Sequence, residues 1–110
     1  METPRELYDT NVIIEALKEG RKINGYTTTL NLVEFPKGLE LELGVLTPSI
    51  KDYLLAIEIS QTMVEQGTPI PAVDTVISAV AINRKLTLVT KDKHFTLVQR
   101  AYPELKIKRE

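Results

Sequence analysis

Pro71-Ala-Val-Asp-Thr-Val-Ile-Ser-Ala-Val-Ala-Ile-Asn-Arg-Lys-Leu-Thr-Leu-Val-Thr-Lys-Asp-Lys-His-Phe95 is the stretch that decides the fold. Val73, Ile77, Val80 and Ala81 recur at helical spacing and give one apolar face. Leu86-Thr-Leu-Val-Thr90 is short and rich in β-branched residues, as a strand buried within a parallel sheet is. The unit therefore reads helix, turn, buried strand, then a loop opening another helix. Asp74 falls in the first helical turn and Asp92 just past the strand.

Upstream, Leu7 and Tyr8 read as part of a central strand, and Asp9-Thr-Asn11 supplies helix N-cap chemistry. Val12, Ile13, Ala16 and Leu17 form the stripe of that helix, with Gly20 as its stop. A turn and second strand follow over 23–27. Thr28, Thr29 or Asn31 caps the next helix, and Asn31-Leu-Val-Glu34 has capping-box spacing. Pro36 should end that helix near Phe35. Leu39-Glu-Leu-Glu-Leu43 alternates with period two and reads as a strand, a helix being the alternative, with Glu40 and Glu42 facing solvent.

Thr47-Pro-Ser49 starts a long helix predicted over 49–66 and stopped at Gly67, with Asp52 in its first turn. Ile50, Leu54, Ile57 and Val64 form one stripe, widened by Leu55, Ile59 and Met63. A stripe this wide has room for a second copy or a partner besides the core. Beyond Asp92, a helix over 94–102 is closed by Pro103, and Leu105-Lys-Ile-Lys-Arg109 alternates apolar and basic, as a protected edge strand does. Setting aside 39–43, the order is strand, helix, strand, three helices, strand, helix, strand. The expected fold is α/β, one domain over 1–110, with a parallel sheet of four to five strands and helices on both faces.

Composition narrows the chemistry. With 43% apolar and 26% charged residues, the chain is built to fold around a core. It has no cysteine, hence no disulfide or thiolate, and its single histidine, His94, has no partner for a zinc site. No glycine-rich phosphate loop or nucleophile-elbow sequence occurs. No apolar run is long enough to span a bilayer and none follows a basic start, so the expected location is cytoplasmic, without membrane. The net charge of −1 excludes a global basic field, so nucleic-acid contacts would need local clusters: Arg21-Lys22, Arg84-Lys85, or Lys91 with Lys93.

Asp9, Asp74 and Asp92 fall at element boundaries, and Glu34 sits in the helix after the second strand. In a parallel sheet all four can converge at the carboxyl edge, where ligands bind. Crowded carboxylates either take up protons or gather a cation, and hard oxygen donors select Mg²⁺ or Mn²⁺. Such a site activates water and clamps a phosphodiester. Each acid also has a plain structural reading: an N-cap acid at Asp9, a first-turn acid at Asp74, a capping-box residue at Glu34, a solvated loop acid at Asp92.

The chain resembles PIN-domain nucleases, and among them toxins of the VapC type. The stretches that carry the resemblance are Tyr8-Asp-Thr-Asn-Val-Ile-Ile14, Thr27-Thr-Thr-Leu-Asn-Leu-Val-Glu34, Pro71-Ala-Val-Asp-Thr-Val-Ile-Ser-Ala-Val-Ala81 and Leu88-Val-Thr-Lys-Asp-Lys-His-Phe95. The resemblance implies Mg²⁺-dependent cleavage of RNA, Mn²⁺ substituting, with Asp9, Glu34, Asp74 and Asp92 as catalytic and metal-binding residues. Asn11 and Thr90 would support the carboxylates, and Lys91, Lys93 and His94 would contact substrate. It further implies a small antitoxin partner and a homodimer. The sequence departs from the family at His94, where many members carry an acid, and in the Pro36 that closely follows Glu34. It also looks shorter than many relatives between Glu34 and Asp74. Those departures motivate the alternative of a catalytically inactive PIN-like module that binds RNA or protein. A phosphate-transfer receiver domain also groups acids at a sheet edge, but the acidic pair it needs near the chain start is missing.

Overall fold

A computed structural model describes residues 5–110. Five strands, β1 (Glu6–Tyr8), β2 (Tyr26–Thr28), β3 (Gly44–Leu46), β4 (Thr87–Thr90) and β5 (Lys106–Arg109), form one sheet in the order β3-β2-β1-β4-β5. Every neighbouring pair is parallel. The helices are α1 (Thr10–Lys18), α2 (Thr29–Glu34), α3 (Ile50–Glu65), α4 (Ala72–Arg84) and α5 (His94–Ala101), with a 3₁₀ helix at Pro36–Leu41. The α/β, PIN-like architecture with helices on both faces is therefore as expected.

The sheet fills in two directions from its centre. The chain runs β1, β2, β3 outward to one edge, then returns to place β4 and β5 on the other side. The reversal lies between β1 and β4, and the crevice at such a switch point is where α/β sheets bind ligands. This order differs from the 2-1-3-4-5 order of receiver domains, which removes that reading.

The core divides across the sheet. On one face, Leu7 and Leu88 pack with Ala56, Ile59 and Met63 of α3, Ile77 and Val80 of α4, and Phe95 and Val98 of α5. On the other, Tyr8 and Val89 pack with Val12 and Ile13 of α1. Alternate strand residues thus serve opposite faces, as the pleat requires. Gly25 allows β1 and β2 to close: it has φ 155°, and a Cβ there would lie 2.5 Å from the Glu6 carbonyl oxygen.

Two expectations need correction. Residues 39–41 of the predicted strand end the 3₁₀ helix, Glu42 closes it in a left-handed conformation (φ 55°), and the strand that follows is β3, paired Tyr26↔Gly44 to Thr28↔Leu46. Leu41 and Leu43 pack beneath α1 while Leu39 is exposed, so the alternation reflects partial burial of a turn. Pro36 at the start of that helix fixes φ where no backbone donor is needed. The capping box of α2 lies one turn earlier than predicted: Thr28 caps the helix and Asn31 closes the box. Glu34 is the last residue of α2 and is free of capping duty.

Helix α3 starts as predicted, with Ser49 and Asp52 forming a reciprocal capping box. Asp52 is also fully buried and accepts from Asn83 Nδ2 and Arg84 Nη1, both at 2.8 Å, which ties α3 to α4. Burial opposes its ionisation, but the bonds from Asn83, the Ser49 amide and Arg84 outweigh that and lower its pKa. Among the described residues, no helix is long and apolar enough to cross a membrane.

Candidate metal centre

Asp9 leaves the carboxyl end of β1 and caps α1. Its backbone amide donates to Val89 O at 3.0 Å, so the β1–β4 ladder itself fixes its position. The side chain, 6% exposed, accepts from Thr10 N at 2.9 Å on Oδ1 and from Thr90 Oγ1 at 2.8 Å on Oδ2. Thr90 ends β4 and also accepts from Asp92 N at 2.9 Å, so one hydroxyl aligns two acids. Asp92 in turn accepts from the His94 amide at 2.9 Å, turning the chain into α5. Asp74 arrives from the opposite side, in the first turn of α4.

His94 bridges the last two acids: its Nδ1 lies 3.3 Å from Asp74 Oδ2 and 3.1 Å from Asp92 Oδ1. One ligand atom each from Asp74, Asp92 and His94 lie within 4.8 Å of one another. Burial raises the pKa of Asp74 to about 6, helped by the charges of Asp92 and Asp9 and opposed by His94. The Asp9 pKa is raised too, again chiefly by burial, with the bonds from Thr90 and Thr10 acting against it. Among the described residues, no lysine or arginine forms an ion pair with Asp9, Asp74, Asp92 or Glu34. Oxygen-rich, mutually repelling and without a lysine or arginine partner, this set of donors fits a hard divalent cation.

Glu34 is attached to the cluster by residues that sequence reasoning passed over. Thr10 Oγ1 donates to Glu34 Oε1 at 2.7 Å and accepts from Asn31 Nδ2 at 2.9 Å. The same Asn31 nitrogen reaches toward Asp9 Oδ1 at 3.5 Å. Thr10 and Asn31 therefore link Asp9 to Glu34. The available signal was position: Thr10 adjoins Asp9, and Asn31 stands one helical turn before Glu34.

The other expected residues divide. Thr90 lies inside the cluster and bonds Asp9. Asn11 is exposed and lines a cleft with Ile14, Glu15, Lys18, Glu19 and Lys91. Lys91 pairs with Glu15 of α1. Lys93 is exposed, next to His94, and lines a different cleft with it.

No protein-family model matches the sequence, and no curated protein matches it. Solved structures do match over nearly the whole chain. A DNA-bound VapBC from Salmonella typhimurium has a chain 19% identical, with TM-score 0.76, covering 97% of this chain and 98% of its own. VapBC-5 from Mycobacterium tuberculosis, of the VapBC family of toxin–antitoxin systems, has one 24% identical, with TM-score 0.72 and coverage of 97% and 100%. FitAcB from Neisseria gonorrhoeae has one 18% identical, with TM-score 0.66 and coverage of 93% and 95%. At these identities the likeness concerns architecture: the protein has the PIN-like fold found in chains of VapBC toxin–antitoxin complexes.

Proposed function

We propose that this protein is a divalent-metal-dependent ribonuclease, acting as the toxin of a toxin–antitoxin pair in the cytoplasm. The observation that carries the reading is the acidic set at the β1/β4 switch point, without a lysine or arginine partner among the described residues and with Asp74 and Asp92 in reach of one ion. Asp9, Asp74 and Asp92 would hold Mg²⁺ or Mn²⁺, with Glu34 at the rim. The bound ion would lower the pKa of a water and offset charge on a phosphodiester.

The chain's own residues supply the rest. Thr90 and the Thr10 amide hold both oxygens of Asp9 before any ligand arrives, so little reorganisation is needed. Thr10 restrains Glu34 as the candidate to orient the attacking water, through a bond that leaves its second oxygen free of a protein donor among the described hydrogen bonds. His94 offers a nitrogen where the other donors are carboxylates, and Mg²⁺ prefers oxygen. We therefore assign His94 to the substrate side of the centre.

The neighbours' crystallisation as VapBC and FitAcB complexes supports a small antitoxin partner. The surface of α3 supports a homodimer. Ile50, Leu54, Ile57 and Val64 are 79%, 63%, 63% and 61% exposed, on the side opposite Ala56, Ile59 and Met63. Ile50, Ile57 and Val64 recur every seven residues, the spacing of a helix–helix seam.

Purified protein should cleave single-stranded RNA in Mn²⁺, stop in EDTA, and lose cleavage on Asp74→Asn substitution with the fold intact. Undiminished cleavage by that variant would remove the assigned centre. The second reading, a binding module without catalysis, is favoured by one observation: His94 already contacts the oxygens a cation would need. Failure to take up Mn²⁺ even with RNA bound would select it.

A further inference from the structure

The cleft beside the carboxylates differs in charge from the other grooves. Clefts along α1 mix acids with bases: Glu15 and Glu19 with Lys18 and Lys91 in one, Glu40 with Lys18 and Lys37 in another. The cleft between α5 and the end of β5, about 280 Å³, is lined by Lys93, His94, Thr96, Leu97, Arg100 and Arg109, without a carboxylate. Leu97 is its one aliphatic side chain. Lys93, Arg100 and Arg109 are exposed and form no ion pair among the described residues.

Two features of the fold bring these groups together. Lys93, Leu97 and Arg100 recur on one face of α5. Arg109 is in register with Thr90, the residue that bonds Asp9, so the β4–β5 ladder places it at the catalytic edge of the sheet. Its neighbour Glu110 is drawn off by Arg21, at 3.0 Å. His94 belongs to both places, lining the cleft and touching Asp74 and Asp92.

We propose that this cleft is a nucleotide subsite, which seats one residue of single-stranded RNA adjoining the phosphate at the carboxylates. Arg100 and Arg109, with Lys93, hold the flanking phosphate; Leu97 and a guanidinium plane pack against the base. The arrangement orients the strand across the acidic centre and overcomes, locally, the repulsion of a chain with net charge −1. It rests on the ribonuclease reading and adds the residues that would grip the substrate.

The test is binding of a fluorescein-labelled single-stranded RNA in EDTA as salt is varied, for the wild type and an Arg100→Gln/Arg109→Gln variant. Losing the grip on that one flanking phosphate lowers the log–log salt slope by about 0.7, the contribution of one phosphate on a single strand. A Lys85→Gln/Lys106→Gln variant removes equal charge at the opposite edge of β4 and β5 and should keep the wild-type slope. Melting curves matching the wild type establish that the exposed substitutions leave the fold intact. An unchanged slope in the arginine variant overturns the subsite, and if the wild type still cleaves RNA, the ribonuclease reading stands without it. Binding of a labelled polyglutamate peptide by the wild type and not by the arginine variant, with no RNA bound by either, overturns it in favour of an acidic protein partner. Wild type that neither binds nor cleaves RNA removes both.

Discussion

Asp74→Asn should make the metal-free protein more stable at neutral pH, an unusual result for a substitution at a semi-buried hydrogen-bonded position. The side chain is 15% exposed, and its pKa rises from 3.8 to about 6, first through burial and then through Asp92 and Asp9. Because the folded value is raised, the native state holds the proton more tightly than the unfolded chain. Stability from this group is therefore present at low pH and falls as pH climbs through the interval between 3.8 and about 6. Above that interval the full cost of the buried charge is paid, at most about 3 kcal/mol for a shift of roughly two units. Asparagine keeps the shape and a hydrogen-bonding partner for His94 but carries no charge. In EDTA at pH 7.5 the variant should gain about 1–3 kcal/mol, or roughly 4–12 °C in Tm for a domain of this size. At pH 4 the gain should nearly vanish. Saturating Mn²⁺ should reverse the order, because an ion at about a thousand times its Kd stabilises only the wild type, by about 4.1 kcal/mol. Differential scanning calorimetry across pH, with and without metal, reads all three. A variant less stable than wild type in EDTA at pH 7.5 would refute the electrostatic reasoning.

Other perturbations probe separate parts of the structure. Asp52→Asn should cost about 3 kcal/mol in urea unfolding by leaving Arg84 without its buried partner. Since the Asp52 pKa is lowered in the fold, its contribution is present above the unfolded value of about 4 and lost as pH falls through the folded one. The acid limb of the stability profile should therefore flatten in that variant. Thr10→Val should disconnect Glu34 from Asp9 and cut RNA cleavage about tenfold, and should cost about 1–2 kcal/mol of stability by taking the acceptor from the buried Asn31 amide; unaltered cleavage would leave the link without a role. Ile57→Glu places like charges in the proposed helix–helix seam and should yield monomers in sedimentation velocity where the wild type is dimeric.

Much of the architecture was readable because burial writes itself into sequence. The run over 86–90 is apolar and β-branched because β4 lies between β1 and β5 with helices on both faces, and Asp9 was legible as a boundary because a buried strand ends there. β3 was not legible: its three residues form an exposed edge with no apolar period, and the alternating leucines before it offered a stronger false signal. In the centre, Asp9 and Asp92 could be placed from chain order alone, since strand ends in a parallel sheet share one edge. What tied them together could not. The Thr10–Glu34 and Asn31–Thr10 bonds join separate elements, and Arg109 reaches the site only through its register with Thr90. Lys91, beside Asp92 in sequence, turns instead to Glu15.

The central claim is that carboxylates at the β1/β4 edge form a divalent-cation site, and titration calorimetry of Mn²⁺ into wild type and Asp74→Asn tests it most directly. The account predicts saturable binding by the wild type that is lost or at least tenfold weaker in the variant. Equal binding by both proteins would contradict the assignment of Asp74, and no binding by the wild type, with or without an uncleavable RNA analogue, would contradict the metal centre itself.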